Sequence, residues 1–422
     1  MLPLAVYLKQ MGHAPLAYDD AFSEPVLDIL QQLDIPCVKD FSLEDKIDSV
    51  VYSSAIGPSH PLYQKALASG LPLTKRGIFW AELVKSKKLL AIVGSHGKTT
   101  TSAMLIEILS QSGMSFDYML GGLFKENRLP AAYKPDSEWL ISEIDESDAT
   151  IDAFSPEITL VVNFDWDHVD TYPQAADLEA SFLALFQRTQ QKVVFLAEDA
   201  TLRRLASASP TKSLAIDFNE NSPYHIEDSG SGNFKLSSAS SSVELAGLFN
   251  IKNASLALAA ASALGVDLGT SPLKTWKGVW RRQDHLYQGP DVHIMADYAH
   301  HPQELKALLA LARSSIPGQQ TVVFQPHRYT RTHKYAKAFA EALSAADSIL
   351  LLPVYSANEP FLAEGTSLAI KNAFPEASKL QYFEGKAACL AYLQSTRPKG
   401  SLIFIGAGDI DQLAHAYVHT LF

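Results

Sequence analysis

Gly94, Ser95, His96, Gly97, Lys98, Thr99 and Thr100 stand in an order that suits the binding of phosphate. Before them, Leu89 to Val93 is a short apolar run of the kind that forms a buried strand, and a helix-compatible run follows from Thr100. A strand that stops at a glycine turn and restarts as a helix points several backbone N–H groups at one spot. The positive end of the helix lies at the same place. In such a loop Lys98 supplies a mobile cation for the β- and γ-phosphates, and the Thr99 hydroxyl a ligand for Mg²⁺. The loop departs from the general G-x-x-x-x-G-K-[ST] pattern, because only Ser95 and His96 separate Gly94 from Gly97, and Ile92 stands where the first glycine would be.

Further groups follow other apolar runs. Trp139 to Ile144 leads into Glu143, Asp145, Glu146 and Asp148, and Ile158 to Asn163 leads into Asp165, Asp167 and His168. A carboxylate such as Glu143 and a neutral imidazole such as His168 are suitable ligands for a nucleotide-bound Mg²⁺. Asn250 and Asn253 lie one turn apart on an Ala-rich helix, so both amides can face the same way. Val292 to Ala296 ends in Asp297-Tyr298-Ala299-His300-His301-Pro302, and Thr321 to Gln325 ends in His327-Arg328-Tyr329-Thr330-Arg331. Neighbouring residues on a strand point opposite ways, so His300 and His301 are not expected to share one metal ion. Arg328 and Arg331 read as clamps for carboxylate or phosphate, since guanidinium offers a planar fork.

The elements that must position these groups alternate strand and helix, which predicts mostly parallel sheets with chemistry at the carboxyl ends of the strands. Residues 1–85 read as a small α/β unit that opens directly on a helix, Leu2 to Gln10, where a nucleotide-binding unit normally opens on a strand and glycine turn. His13 to Tyr18 and Ser49 to Ser54 read as its strands. Residues 86–283 hold the phosphate loop and end at Trp280-Arg281-Arg282, with a loose β-hairpin segment over 206–242. Residues 284–422 read as another doubly wound α/β domain, whose last strand, Leu402 to Ile405, ends in Gly406-Ala407-Gly408-Asp409.

The chain of 422 residues, 47% hydrophobic and 19% charged, has the composition of a globular protein with real cores. A net charge of −11 without a basic stripe argues against nucleic acid as the main partner. No apolar run approaches the ~18 residues that span a bilayer. The first residues lack the basic start and cleavage site of a signal peptide, so the expected location is the cytoplasm. Cys37 and Cys389 sit in no metal-binding spacing and are expected to be buried thiols in a reducing compartment.

GSHGKTTT, EIDESD, NFDWDH, GVWRR, DYAHHP, FQPHRYTRT and GAGDI occur in this order over nearly the whole chain. Together they resemble the Mur ligases of bacterial peptidoglycan synthesis, in the branch that adds alanine. The resemblance implies three domains: a Rossmann-like N-terminal domain for a UDP-sugar, here without its first strand, a central P-loop ATPase domain, and a C-terminal Rossmann-like domain for the amino acid. It implies that ATP phosphorylates the lactyl carboxylate of UDP-N-acetylmuramate and that the L-alanine amine attacks the acyl phosphate. By motif match, Lys98, Glu143, His168 and Arg282 are the catalytic groups, and Thr99, Glu143 and His168 the Mg²⁺ environment. Gly94 to Thr100, Arg282, Asn253 and Asp297 hold ATP, the last two at adenine and ribose. Ser54 lies on the UDP-sugar side, and Tyr298, His300, His301, Arg328 and Arg331 line the amino-acid side. The family's glycine-rich first turn would precede Met1, so the natural chain is expected to begin upstream. Gln283 stands where the family has phenylalanine and Asn358 where glycine is usual. The competing readings are a recycling ligase that adds a whole tripeptide and a nucleotide-binding protein without catalysis.

Overall fold

Leu90 and Ile92 belong to one apolar cluster, while Leu89, Ala91 and Val93 of the same strand belong to another. A strand buried on both faces needs helices on both, and this requirement shapes the first part of the chain. The computed structural model describes residues 1–422 except 21, 41–45, 55, 148, 167–170, 231, 237–238, 243–246, 268–272 and 275, and except the side chains of 239, 240 and 242. Two compact units form, Met1–Val279 and Trp280–Phe422.

The first unit contains helices α1 (Leu2–Gln10), α2 (Glu24–Gln32), α3 (Pro61–Ala68), α4 (Arg76–Leu83), α5 (Lys98–Gln111), α6 (Ala175–Arg188), α7 (Ala200–Ala208) and α8 (Leu248–Ala263). Its strands are β1 (Val50–Tyr52), β2 (Leu73–Lys75), β3 (Lys88–Val93), β4 (Phe116–Met119), β5 (Ala131–Ala132), β6 (Trp139–Glu143), β7 (Ile158–Val161), β8 (Lys192–Leu196) and β9 (Ser213–Ile216), then β10 (Ile226–Gly230), β11 (Asn233–Leu236) and β12 (Ala239–Ser242). Among the described residues, β3 to β9 make one sheet in the order β5-β4-β6-β3-β7-β8-β9. Every pair in it is parallel except β4 with β5. Helices α5 and α8 cover one face, through residues such as Met104, Leu256 and Ala257, and α1, α4 and α6 cover the other, through Leu4, Trp80 and Phe182. The hairpin expected over 206–242 is a three-stranded antiparallel sheet, β10-β11-β12, with β9 joining the main sheet instead.

Two local expectations change. His13 to Tyr18 does not form a strand, and only Ala17 makes an isolated bridge, with Cys37. Pro15 has no N–H to give a ladder. Cys37 is exposed, whereas Cys389 is buried as expected, and both are free thiols. Among the described residues no helix is long and apolar enough to cross a membrane.

Helix α1 packs against the main sheet. Tyr7, 2% exposed, donates its hydroxyl to Asp117 Oδ2 at 2.7 Å, and the Asp117 side chain is wholly buried. Asp117 also accepts from the Lys134 N–H at 2.8 Å and faces Lys87 Nζ at 3.1 Å. Burial first, and then the Asp117 carboxylate, push the Tyr7 phenol far above its ordinary pKa, so it stays a donor.

The second unit contains β13 (Asp284–Gln288), β14 (Val292–Asp297), β15 (Gln320–Phe324), β16 (Ser348–Leu351), β17 (Leu380–Tyr382) and β18 (Gly400–Ile405), with α9 (Pro302–Ser315), α10 (Tyr329–Leu343), α11 (Ser367–Ala373), α12 (Lys386–Thr396) and α13 (Ile410–His419). The sheet order is β13-β14-β18-β15-β16-β17, parallel except for the edge strand β13. Helices α9, α10 and α11 cover one face through Leu305, Phe339 and Ile370, and α12 and α13 cover the other through Leu393 and Leu413.

Tyr7→Phe removes one of the donors to buried Asp117 and is expected to destabilise the first unit by about 1–2 kcal/mol. A urea titration followed by tryptophan fluorescence reads this as an earlier midpoint, and an unchanged midpoint would show that the contact contributes nothing.

Candidate active site

The loop after β3 owes its shape to two glycines. Gly94 has φ +130° and Gly97 φ +82°, conformations that side chains disfavour. A Cβ on Gly94 would lie 2.8 Å from the Asn163 carbonyl oxygen, and one on Gly97 would lie 3.0 Å from Asn253 Oδ1. The residues between are stitched to the segment that follows β7. Ser95 Oγ donates to the Asp165 carbonyl at 2.7 Å and accepts from the Asp165 N–H at 2.9 Å. The His96 N–H donates to Asn163 Oδ1 at 3.0 Å, while Asn163 Nδ2 donates to the His96 carbonyl at 2.8 Å. His96 Nε2 lies 3.4 Å from Asp165 Oδ2. Helix α5 then starts at Lys98 without a side-chain cap on its N-cap residue, Gly97, so its positive end faces the loop.

Lys98 and the acids after β6 complete this site. Lys98 Nζ donates to the Gly94 carbonyl at 2.5 Å and to both oxygens of Glu146, at 2.9 and 3.0 Å. Burial alone would lower the Lys98 pKa, but Glu146 and Asp145 outweigh it and raise the pKa, so the ammonium persists. Thr99 Oγ1 donates to Glu143 Oε2 at 2.8 Å, and Glu143 Oε1 accepts the Gly121 N–H at 2.6 Å. Asp145 sits 3.8 Å from Arg76 Nη2. Burial pushes its pKa up, but Lys98 and the Ser147 N–H outweigh burial and bring it below the usual value. Thr100 is buried in α5, and Asn253 is buried in α8 against Gly97. Of the residues named from sequence, Gly94 to Thr99, Glu143 and Asn253 thus lie together. Ser54 is exposed just past β1, and His168 lies outside the described residues.

In the second unit the named residues gather at the carboxyl end of β14 and β15. Arg281, at φ +59°, donates to the carbonyls of Gly406 at 2.9 Å and Gly408 at 2.6 Å. These bonds tie Trp280-Arg281-Arg282 to this unit. The guanidinium carbons of Arg281 and Arg282 lie 4.9 and 4.7 Å from the centre of the Tyr298 ring. Asp297 spends both carboxylate oxygens on backbone, accepting from the Gln283 and Ala299 N–H groups at 2.8 Å each. Burial raises its pKa against the pull of Arg282.

Strand β14 ends at Asp297, so His300 and His301 stand in the turn before α9 and strand alternation is not what separates them. His301 is the N-cap of α9, and the backbone N–H groups of His300 and His301 donate to Glu304 Oε2 at 2.8 and 3.1 Å. His300 Nδ1 lies 3.0 Å from the Tyr298 carbonyl, which can only accept, so Nδ1 carries the proton. Burial lowers the His300 pKa to about 3 and that of His327 to about 2, so both are neutral at physiological pH. His327 stacks on Tyr355 with ring centres 5.6 Å apart. Arg331 is 8% exposed, with Nη1 3.5 Å from His327 Nδ1, and Arg328 lies 3.8 Å from Glu359 at the start of α10.

Sequence reasoning named Glu146 only as one of an acidic cluster, without a role, and assigned none to Asn163, Gly121, Glu304 and Glu359. Of these four only Gly121 carried a readable signal, as a glycine where close approach is needed. A Cβ there would lie 2.6 Å from Glu143 Oε2.

Residues 92–261 match the model of the Mur ligase middle domain, and residues 281–408 that of the Mur ligase, glutamate ligase domain. A UDP-N-acetylmuramate–L-alanine ligase of Acidithiobacillus ferrooxidans is 34% identical over 388 residues, which is 87% of this chain and 83% of its own. A protein of the same name from Desulforamulus reducens is 29% identical over 441 residues, 100% of this chain and 95% of its own. Among solved structures, the UDP-N-acetylmuramate-alanine ligase MurC of Thermotoga maritima matches with TM-score 0.81 at 23% identity, over 99% of this chain and 96% of its own. A murein peptide ligase of Psychrobacter arcticus matches with TM-score 0.78 at 20% identity, over the same shares. At those identities the solved structures speak for the fold. The family models and the 34% identical relative speak for descent, and the chain belongs to the Mur ligase family.

Proposed function

We propose that this protein joins L-alanine to the lactyl carboxylate of UDP-N-acetylmuramate, converting ATP to ADP and phosphate, as a step of peptidoglycan precursor synthesis. The carrying observation is the glycine loop with Lys98 at its mouth, an uncapped helix start behind it, and the Thr99–Glu143 pair beside it. The names of the relatives at 29% and 34% identity support the choice of substrates. Residues 1–85 serve the UDP-sugar, with Ser54 on that side, 86–283 serve ATP, and 284–422 serve the amino acid. The reaction belongs in the cytoplasm, the compartment that supplies ATP.

In this reading a lactyl carboxylate oxygen attacks the γ-phosphorus and ADP leaves. The alanine nitrogen then attacks the acyl carbon, phosphate leaves and an amide bond remains. Two anions meet in the first step, so the protein's main task is to position and neutralise them. Lys98 and the N–H groups of the loop and the start of α5 do this at the phosphates, and Arg282 is assigned to them by motif alone. Thr99 and Glu143 offer hard oxygen atoms 2.8 Å apart, a donor set that suits Mg²⁺, and His168 joins them by motif. Bound there, Mg²⁺ neutralises charge on the phosphate oxygens. Asn253 and Asp297 take the adenine and ribose sides. Arg331 holds the alanine carboxylate, with Arg328, Tyr298 and His301 shaping its surroundings. His300, with a pKa of about 3, is too weak a base to take the amine proton at neutral pH, so its role is to position.

Phosphate release from ATP is expected to require UDP-N-acetylmuramate, L-alanine and Mg²⁺ together. Release with the tripeptide L-alanyl-γ-D-glutamyl-meso-diaminopimelate but not with L-alanine would instead identify a recycling ligase, and nucleotide binding without release would identify a protein without catalysis. Lys98→Ala should lower kcat by a factor on the order of 10²–10³ while the fold persists. Arg331→Lys, which loses the planar fork, should raise the KM for L-alanine by about tenfold and leave nucleotide affinity unchanged. An unaltered KM would remove Arg331 from the amino-acid site.

A further inference from the structure

The acids after β6 divide their work. Glu143 is spent on the Thr99 hydroxyl and the Gly121 N–H, and Asp145 faces Arg76. Glu146 has a different position. Its side chain is 1% exposed, and both its oxygens take the Lys98 ammonium, at 2.9 and 3.0 Å. The turn that carries it is held in place by Tyr172, whose hydroxyl donates to the Glu146 carbonyl at 2.9 Å, and by Thr171, whose hydroxyl donates to the Ser147 carbonyl at 2.5 Å. The ammonium meets a buried carboxylate at the place where a phosphate loop presents its cation to phosphate.

We propose that Glu146 is the positioning residue of the phosphate loop, a resident anion that holds Lys98 in place until nucleotide phosphate takes the ammonium from it. This rests on the nucleotide reading of the loop. Lys98 is largely withdrawn from water, with a side chain 17% exposed, and an ammonium so placed without a partner carries a large desolvation cost. Glu146 removes that cost before nucleotide binds, and it keeps the four-carbon stem from taking other rotamers. The same contact opposes binding. When phosphate takes Lys98, Glu146 is left as a buried carboxylate near further negative charge. Its pull on the ammonium therefore weakens nucleotide affinity and favours release of ADP after each turnover.

The sign of the effect separates this role from a purely structural one. A residue needed only to support the loop weakens nucleotide binding when replaced, whereas a competing anion strengthens it. Glu146→Gln keeps the shape and removes the charge. Calorimetric titration of the full chain with ADP, in EDTA and without divalent metal, is expected to show binding about tenfold tighter in this variant, the loss of one charged hydrogen-bonded competitor. Glu146→Asp keeps the charge but is one methylene shorter, and its affinity should fall between the two. Binding that is unchanged or weaker in folded Glu146→Gln, as judged by circular dichroism, overturns the proposal. If the Gln variant does not fold, Glu146→Asp decides by the same criterion: tighter supports, unchanged or weaker overturns. If the natural protein itself binds no ADP, the nucleotide reading has failed and this proposal falls with it. Natural binding with unaltered variants sinks only the role of Glu146.

Discussion

A buried ammonium must have its counter-ion delivered to it, and this requirement ties the phosphate loop to the sheet. Removing a charge from water costs several kcal/mol, which only a well-placed partner offsets. Lys98 belongs to the helix after β3, and Glu146 to the turn after β6. The two strands are parallel neighbours with Ile92 opposite Glu143, so their carboxyl ends lie at one level and both turns begin side by side. Antiparallel pairing of the same strands would send the acids to the far edge. The chemistry at this edge therefore depends on the doubly wound topology, and the topology depends on a strand that is apolar on both faces.

Rigidity and mobility are divided within the loop. Its backbone is fixed by glycine conformations and by reciprocal bonds with Asn163 and Asp165, while its cation sits on a flexible stem held by an ion pair. Backbone N–H groups that must converge on phosphate gain from being preorganised, because no ordering remains to be done when the ligand arrives.

The second unit uses a related device with different groups. Arg281, Gln283, Arg328 and Asn358 all have positive φ, and such residues cost of order 1–3 kcal/mol unless their surroundings hold them. Here hydrogen bonds do so: the Asp297 carboxylate holds the Gln283 N–H, and Arg281 Nη2 donates to two carbonyls beyond β18. Asn358 has φ +64°, a left-handed conformation that asparagine tolerates better than most residues.

Local pattern determined a great deal. The apolar run before Gly94, the helix read from Thr100, the placement of Glu143 at a strand end, and the strands at Val292, Thr321 and Leu402 follow from short-range periodicity, and all were legible from residue type and spacing, although the helix starts two residues earlier, at Lys98. Partner choice was not. The sequence shows Glu143, Asp145, Glu146 and Asp148 within a few residues, but not which of them reaches Lys98, because that depends on how the turn after β6 is held by Tyr172 and Thr171. Nor does it show that α1 packs on the main sheet through Tyr7 and Asp117, a contact between residues 110 positions apart. His300 and His301 look like a strand-end pair until the strand is seen to stop at Asp297. Periodicity is a property of neighbours along the chain, so the sequence alone determines elements and their order. Burial and charge pairing arise between segments that meet only after folding, so the tertiary structure decides which of several equivalent side chains does the work.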